Sequence, residues 1–302
     1  MGILEDKCFA FIVSAGRTGT KFFGNQLRHM IGGAFSVHEP DVLMDFKLKS
    51  ISQLRLFGWY NLIFGKLTGK SGIRNLSQNY LAGKLSLPEL KAAVIDHREK
   101  FYRNISQDLI IESYSGWYGA IPAIRSLYKY YKIIVIARDP RDWVVSNMNW
   151  GTMYGKRDWV SRLKLGRLNP AMVNDAHYRN QWRHFTRFQK LCWAWSAIYG
   201  ILLEETADDP NCVIFKFEDL FLSEQKYEHL EKLLTFLSRY PGRQFDYLLK
   251  ENIFDKVANP NISNSFSRWE EWDNDMKKDL ISLCSTVAKK IGYFVNNSSN
   301  HI

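Results

Sequence analysis

A short loop near the start of the chain, Ser14-Ala-Gly-Arg-Thr-Gly-Thr-Lys21, contains the residue types that bind a phosphate or a sulfate. An apolar run typical of a buried strand precedes it, and residues 21–30 have the pattern of a helix. Backbone N–H groups at the start of a helix, together with the helix dipole, favour an anionic ligand. We therefore expect an anion site here, although Gly16 and Gly19 are also compatible with a plain tight turn.

The loop departs from two common nucleotide-binding motifs. In G-x-x-x-x-G-K-[ST] a lysine and then a hydroxyl residue follow the second glycine, whereas here Thr20 follows Gly19 and Phe22 follows Lys21. The missing hydroxyl would hold magnesium in a kinase, so metal-assisted phosphoryl transfer is disfavoured. The G-x-G-x-x-G pattern of dinucleotide sites is absent from the loop as well.

A second candidate anion site lies in Arg138-Asp-Pro-Arg-Asp-Trp-Val-Val-Ser146. This run follows residues 133–137, another buried-strand pattern, and its proline is typical of a first helical turn. A strand end that leads into a helix start again suits an anion. An alternative is that Arg138 and Arg141 only pair with the neighbouring aspartates, and such surface ion pairs are common and weak.

Taken together and in this order, the two motifs resemble the donor-binding signature of sulfotransferases that use 3′-phosphoadenosine-5′-phosphosulfate (PAPS). The resemblance implies that the backbone and hydroxyls of Thr18, Gly19 and Thr20 hold the 5′-phosphate. It also implies that Arg17 faces the bridging oxygen and the sulfuryl group, with Lys21 adding positive charge. Arginine at this position is similar to many carbohydrate-type members, whereas cytosolic members usually have lysine. An arginine serves as a fixed positive clamp rather than as a proton donor.

The resemblance further implies that Arg138 and Ser146, eight residues apart, grip the 3′-phosphate that PAPS carries and ATP lacks. Residues 109–114 and 213–220 are similar to two further strand regions of the family, in the family's order. Ser265-Phe-Ser-Arg-Trp269 resembles a late loop that closes over the nucleotide, so Arg268 is a further donor-binding candidate. The Arg-Lys-Gly sequence that cytosolic members have there is absent.

The acceptor side is predicted from Ser36-Val-His-Glu-Pro40, which follows a weaker strand pattern and so ends at the same carboxyl edge of the sheet. Sulfuryl transfer needs a base near the acceptor hydroxyl; Glu39 is the first candidate and His38 the second. A Glu-Pro at this place resembles carbohydrate-type and bacterial sulfotransferases. Alternatively, both residues only cap the next helix. Glu112 is a third candidate, better suited as a partner of Arg17.

The pattern of apolar runs predicts the fold. Helical stretches separate runs at residues 8–13, 34–37, 109–111, 133–137 and 213–217. This alternation predicts an α/β fold: a central parallel sheet flanked by helices, with a phosphate-binding loop after the first strand, as in the P-loop-like fold of sulfotransferases.

The length of 302 residues fits a single sulfotransferase domain over 1–302. Aromatic and basic segments at about 43–107 and 148–188 fit no strand pattern. We expect them to be helical insertions that surround the active site and hold the acceptor.

Composition narrows the partners and the location. Lys and Arg number 41 against 31 Asp and Glu, and the formal charge of +10 favours an anionic partner. Because acidic residues are interspersed along the chain, nucleic acid is not the expected partner. No apolar run approaches the ~18 residues of a transmembrane segment, and residues 1–7 are not a secretory signal, so we expect a cytoplasmic protein. The four separated cysteines predict neither a disulfide framework nor a metal site.

Two aromatic features have ordinary as well as functional explanations. The stretch 54–70, with Phe57, Trp59, Tyr60 and Phe64 among basic residues, suits a membrane surface or a lipid-linked acceptor, but such a stripe is more often core or lid. Several tryptophans are candidates for stacking on sugar rings, although most tryptophans simply pack. They are Trp143, Trp150, Trp159, Trp182, Trp193 and Trp195.

The sequence therefore predicts an enzyme that moves a sulfuryl group from PAPS to a hydroxyl, or less readily an amine, of a carbohydrate or glycoconjugate. The nucleotide product is adenosine 3′,5′-bisphosphate (PAP), and no metal is expected. Two alternatives stay open. One is a kinase-like phosphotransferase on a related phosphate-loop fold, and the other is a non-enzymatic module that binds a polyanion such as heparin.

Overall fold

A computed structural model describes residues 3–42, 48–65, 68, 70–155, 158, 167–250, 252–254 and 265–294. Its centre is a parallel sheet of five strands, in the spatial order β2-β3-β1-β4-β5. The strands are β1 Cys8–Val13, β2 Ala34–His38, β3 Leu109–Ser113, β4 Tyr130–Ala137 and β5 Cys212–Lys216. All five carboxyl ends therefore meet at one edge of the sheet, where α/β proteins bind ligands. This confirms the predicted fold class.

The apolar runs form strands because both faces of the sheet are covered. Every residue of β1 is buried, and alternate side chains point to opposite faces. Phe9 and Phe11 pack edge-on against Tyr128 in one core, whereas Ile12 belongs to a second core on the other face, with Phe23. A strand buried on both sides needs a continuous apolar sequence, which is why β1 was recognisable.

Helices cover both faces of the sheet. In the described residues they are α1 Ile3–Asp6, α2 Thr20–Gln26, α3 Leu48–Trp59, α4 Ile73–Leu81, α5 Leu87–Arg103, α6 Ile121–Leu127, α7 Pro140–Trp150, α8 Ala176–Arg179, α9 Arg187–Thr206, α10 Phe217–Phe221, α11 Lys226–Ser238 and α12 Asn274–Ile291. Three 3₁₀ turns, Leu27–His29, Ser115–Gly119 and Trp269–Glu271, a π-helical turn at Tyr60–Phe64 and a two-stranded ribbon, β6 Arg239–Tyr240 with β7 Arg243–Gln244, complete this part of the chain.

The structure differs from the sequence prediction at the end of one helix and in the second insertion. The helix expected over 21–30 ends at Gln26 and tightens into the 3₁₀ turn Leu27–His29. Within 43–107 the described residues are largely helical, as α3, α4 and α5 show. Within 148–188, by contrast, the described residues are mainly turns around the four-residue helix α8, so the helical character expected there is limited.

No helix among the described residues is both long and apolar enough to cross a membrane.

Candidate active site

The predicted donor and acceptor residues converge at the carboxyl edge of the sheet. In the register of the strands, Ser113 lies beside both Ile12 of β1 and His38 of β2. The loop after β1 therefore lies next to the ends of β2 and β3. On its other side β1 pairs with β4, which ends immediately before Arg138. The sheet thus brings together residues that are about 100 positions apart in the chain.

Backbone conformation in the phosphate loop requires glycine at Gly19. Its φ is +75°, and a Cβ there would lie 2.7 Å from the Phe221 ring. Gly16 has a φ of +82°, and its carbonyl accepts a hydrogen bond from Trp143 Nε1 at 2.7 Å. The loop is therefore held against α7, and the positive φ at both positions favours glycine.

Both residues predicted to act on the reacting groups have left-handed backbone conformations. Arg17 has a φ of +58° and Glu39 a φ of +43°. Such conformations are costly for residues with a Cβ and concentrate at functional sites, where the surrounding structure enforces them.

The Arg17 guanidinium lies between the two predicted phosphate sites. Its Nε donates a hydrogen bond of 3.1 Å to Ser146 Oγ, and its Cζ lies 4.4 Å from the centroid of the Trp150 ring. Burial chiefly, and then the charge of Arg138, lower the pKa of Arg17 from its usual value. An arginine remains charged after such a shift, so the site keeps a concentrated positive charge.

Arg138 forms no ion pair with a neighbouring aspartate among the described residues, in contrast to the ion-pair alternative. Its Nη1 donates to the Arg17 carbonyl at 2.9 Å, and its guanidinium lies 4.6 Å from the Phe217 ring. The alternative holds only for Arg141, which binds Asp139 at 2.5 Å. Arg138 is therefore available for an anion.

Two buried polar atoms at this edge fit an anionic ligand. Thr18 Oγ1 and Arg138 Nε have no hydrogen-bond partner within the described part of the chain. Both are donors, and a buried donor without a partner is costly. Phosphate oxygens would supply the missing acceptors, so these residues are compatible with the 5′- and 3′-phosphates of PAPS.

On the acceptor side, Glu39 forms a polar cluster with two residues that sequence analysis did not identify. Ser115 Oγ lies 3.4 Å from Glu39 Oε1, and Arg74 Nη2 lies 3.7 Å from the same oxygen. Arg74 also donates to Ser115 Oγ at 3.2 Å. Ser115 in turn lies 4.0 Å from the position that a Cβ of Gly16 would occupy, so the cluster abuts the phosphate loop.

His38 is held in one tautomer. Its Nδ1 lies 2.9 Å from the Ser113 carbonyl oxygen, which can only accept, so Nδ1 carries the proton and Nε2 has a free lone pair when the ring is neutral. Burial is the main cause of a lowered His38 pKa, against the opposing effect of Glu39. The neutral ring is thus favoured at neutral pH, and His38 stays the second candidate for the base.

The expectation for Glu112 as a partner of Arg17 is wrong. Glu112 is buried and accepts hydrogen bonds from Arg98 at 3.0 Å, Tyr102 at 2.7 Å and Trp117 at 3.1 Å. A carboxylate held by three buried donors is a structural anchor between β3 and α5, and it is not free to take a proton from a substrate.

The remaining donor candidates lie at the rim. The Arg268 side chain is exposed and has no hydrogen-bond or ion-pair partner among the described residues. Its loop is nevertheless held to α7, because the Phe266 N–H donates to Asn149 Oδ1 at 2.9 Å. Lys21 is half-buried and close enough to His38 to contribute to its lowered pKa.

The tryptophans considered for sugar stacking differ in their exposure. Trp143, Trp193 and Trp195 are buried, whereas Trp150 is 50% exposed and lies against Arg17. Trp159 lies outside the described residues, and Trp182 packs against Trp193 at 5.0 Å between ring centroids. Trp150 was distinguishable in the sequence only by its place four residues after Ser146.

Within the described residues, no three His, Cys, Asp or Glu side chains converge in a way that would hold a metal ion. The expectation of a metal-free reaction stays a prediction.

The parallel five-stranded sheet, the glycine loop after β1 and the flanking helices define an α/β protein with the P-loop-like fold. The model of the sulfotransferase domain family matches residues 9–289, which is nearly the whole chain. The chain therefore belongs to the sulfotransferase family, as the two motifs predicted, and sulfuryl transfer is its reaction class.

Several solved structures are similar to the chain. One is the sulfotransferase domain from the curacin biosynthetic pathway, at 14% identity over 97% of this chain and 100% of that one, with a TM-score of 0.42. A sulfotransferase from Alicyclobacillus acidocaldarius matches at 12% identity over 94% of both chains, with a TM-score of 0.45. The sulfotransferase domain from the Synechococcus PCC 7002 olefin synthase matches at 17% identity over 94% of this chain and 96% of that one, with a TM-score of 0.43. A search of curated protein sequences found no match.

Proposed function

We propose that this sulfotransferase uses PAPS as its donor, releases PAP, and sulfates a hydroxyl of a carbohydrate or glycoconjugate within a single domain. The observation that carries the proposal is the position of Arg17, which contacts Ser146 through its side chain and Arg138 through its carbonyl. A donor with phosphates on both the 5′ and the 3′ position of its ribose needs these two sites close together, whereas a nucleotide without a 3′-phosphate makes no use of Arg138 and Ser146.

The donor-binding roles follow from the charges. Backbone N–H groups of Thr18, Gly19 and Thr20 at the start of α2 suit the 5′-phosphate. Arg138 and Ser146 suit the 3′-phosphate, with the unpartnered Arg138 Nε as one donor. When bound, PAPS supplies an activated sulfuryl group to the acceptor oxygen. Arg17 holds a fixed positive charge where negative charge develops on the leaving phosphate, without any reorganisation of solvent.

We assign to Glu39 the role of the base that takes the proton from the acceptor hydroxyl. Its carboxylate has Ser115 and Arg74 on Oε1, so Oε2 is the oxygen assigned to take the proton as the acceptor oxygen bonds to sulfur. Arg74 orients the carboxylate and keeps it close to the phosphate loop. His38, with its neutral ring and free Nε2, is the alternative base.

A sugar fits the chemistry of the acceptor side. Glu39, Ser115 and Arg74 offer donors and an acceptor for hydroxyl groups, and the half-exposed Trp150 ring offers an apolar face. Sugars combine polar edges with an apolar face in the same way, whereas a simple phenol would leave most of these polar groups without partners.

The donor assignment is tested by thermal denaturation with PAP, ADP or ATP and magnesium. A ligand that binds only the native state raises its stability, by about 2.7 kcal/mol at a concentration 100-fold above Kd. We expect the largest rise in Tm with PAP and a loss of that rise in Arg138→Ala. The matched control is Arg141→Ala, three residues along the chain, because Arg141 is already paired with Asp139; it should keep the PAP response.

Equal or larger stabilisation by ATP with magnesium would favour the kinase-like alternative. A nucleotide-independent, strongly salt-dependent affinity for heparin would favour the polyanion module. If PAP stabilises the protein but radiolabelled sulfate from PAPS is transferred to phenols and not to any sugar of an acceptor panel, the donor assignment stands and the carbohydrate assignment fails.

A further inference from the structure

Three aromatic rings of the first insertion face solvent. Phe57 is buried, as expected for a core stripe, but Trp59 is 61%, Tyr60 48% and Phe64 49% exposed. The ring centroid of Phe64 lies 6.4 Å from that of Trp59 and 5.8 Å from that of Tyr60. Trp59, Tyr60 and Phe64 therefore form one exposed patch, which we call the aromatic cluster. Apolar rings grouped in this way mark an interaction surface.

The backbone builds this exposure into the segment. Gly58 has a φ of +76° and a ψ of 155°, which breaks the helix between Phe57 and Trp59. Beyond it the chain winds into the π-helical turn Tyr60–Phe64. The face that buries Phe57 is therefore not continued, and the next rings point away from the core. A positive φ of this kind favours glycine, so the break is specified by the sequence.

The segment of the chain that carries the aromatic cluster has charges of a single sign. Residues 46–88 contain seven Lys or Arg and no Asp or Glu, in contrast to the interspersed charges elsewhere. Two of these basic residues lie on either side of the rings in the sequence. Arg55 is exposed and lies four positions before Trp59, and Lys70 is exposed with its N–H bonded to the Gly65 carbonyl at 2.7 Å.

We propose that the aromatic cluster, with Arg55 and Lys70, binds the surface of an anionic lipid bilayer. Trp and Tyr rings favour the headgroup region, and Lys and Arg are attracted to anionic lipids. A soluble polyanion would engage the charges but leave the rings in water. A second copy of the chain would bring two surfaces of the same positive charge together, which opposes self-association.

The surface is attached to the acceptor side of the active site. Gln53 of α3 donates to the Pro40 carbonyl at 2.8 Å and to the Val42 carbonyl at 3.4 Å, directly after Glu39. Docking of this segment on a bilayer therefore brings the acceptor side close to the membrane. Resting on the proposed function, this geometry indicates an acceptor that is presented at a membrane, such as a glycolipid.

Co-sedimentation with vesicles tests the proposal without PAPS or acceptor. We expect the full chain to bind vesicles of phosphatidylcholine with phosphatidylserine at least about tenfold more tightly than vesicles of phosphatidylcholine alone. Trp59→Ser/Tyr60→Ser/Phe64→Ser should weaken binding at least about tenfold. Arg55→Gln/Lys70→Gln should weaken it about fivefold for each charge removed.

The matched control is Leu222→Ser/Leu248→Ser/Ile281→Ser, whose side chains are 66%, 68% and 50% exposed elsewhere on the surface. It should bind vesicles like wild type. If the aromatic variant does not fold, the charge variant and the salt dependence of wild type still decide the question.

Three results would overturn the proposal: no vesicle binding by wild type, equal binding by the aromatic variant, or a concentration-dependent dimer that the aromatic substitutions abolish. The last would assign the surface to a second copy. Because these readouts do not involve PAPS, they are independent of the PAP thermal shift, and either proposal can fail alone.

Discussion

Arg17 Nε donates a 3.1 Å hydrogen bond to Ser146 Oγ, so the loop after β1 and the helix after β4 share one contact at the centre of the site. The two residues are 129 positions apart in the chain. In the proposed function, this contact places the residue that clamps the sulfuryl group beside the site for the 3′-phosphate of the donor. Binding of the donor and activation of its sulfuryl group would then be functions of one connected structure.

Replacement of Arg17 should lower the rate of sulfuryl transfer more than it weakens binding of the nucleotide. Arg17→Ala removes the fixed charge where the leaving phosphate develops charge, and we expect kcat to fall about 10²–10³-fold. Arg17→Lys keeps the charge but loses the planar contact with Trp150 and Ser146, so its kcat should fall less. Initial rates at saturating PAPS, together with the PAP-induced rise in Tm, measure the two effects. An Arg17→Ala variant with wild-type kcat would remove Arg17 from the mechanism.

Gly19→Ala should damage the phosphate loop for a steric reason. Its positive φ and the approach of the Phe221 ring to 2.7 Å both oppose a methyl group, and we expect a loss of about 1–3 kcal/mol in the free energy of unfolding together with loss of PAP binding. Gly83→Ala is the matched control, because Gly83 has a φ of +66° and nothing within 4 Å. The difference between the two variants in the free energy of unfolding, measured by urea denaturation, is the cost of the contact with the Phe221 ring. Equal costs would show that Phe221 moves aside.

Glu39→Gln should abolish proton transfer while leaving the donor site intact. Loss of a general base costs about 10²–10⁴-fold in rate, so kcat should fall by that factor with an unchanged PAP-induced rise in Tm. Arg74→Gln should have a smaller effect on kcat, because it only releases the carboxylate that it orients. If His38→Asn reduces kcat more than Glu39→Gln does, the base is His38.

Protonation of His38 should destabilise the folded protein at low pH. Burial lowers the pKa of His38 in the folded state, while in the unfolded chain the pKa is about 6.5. Below that value the unfolded chain binds the proton more readily, so the free energy of unfolding falls as pH decreases from 6.5 to the folded-state pKa. His38→Asn retains a donor to the Ser113 carbonyl and lacks this titration. Its urea midpoint should therefore fall less than that of wild type between pH 7.5 and pH 5, and equal falls would contradict the shift.

The local motifs were predictable because their chemistry is encoded over a few consecutive residues. Residues 14–21 and 138–146 each combine a strand end, a helix start and a specific basic or hydroxyl residue, and their function requires that local order. The strands of the sheet were predictable for a similar reason, since a strand buried on both faces must be apolar throughout. The expectation that Glu112 pairs with Arg17 failed because its true partner, Arg98, lies on α5. Nothing in the sequence around Glu112 indicates that contact.

The sequence by itself determined the family and the parallel α/β class, and it supplied most of the residues proposed to bind the donor. Only the tertiary structure decided which residues join them: Arg74, 35 positions from Glu39 in the chain, and Ser115 and Trp150, whose types are ordinary in helices and turns. It also decided that Phe57 is buried while Trp59, Tyr60 and Phe64 are exposed. The physical reason is that these contacts and exposures depend on how distant segments of the chain pack together. Local sequence patterns carry no information about that packing.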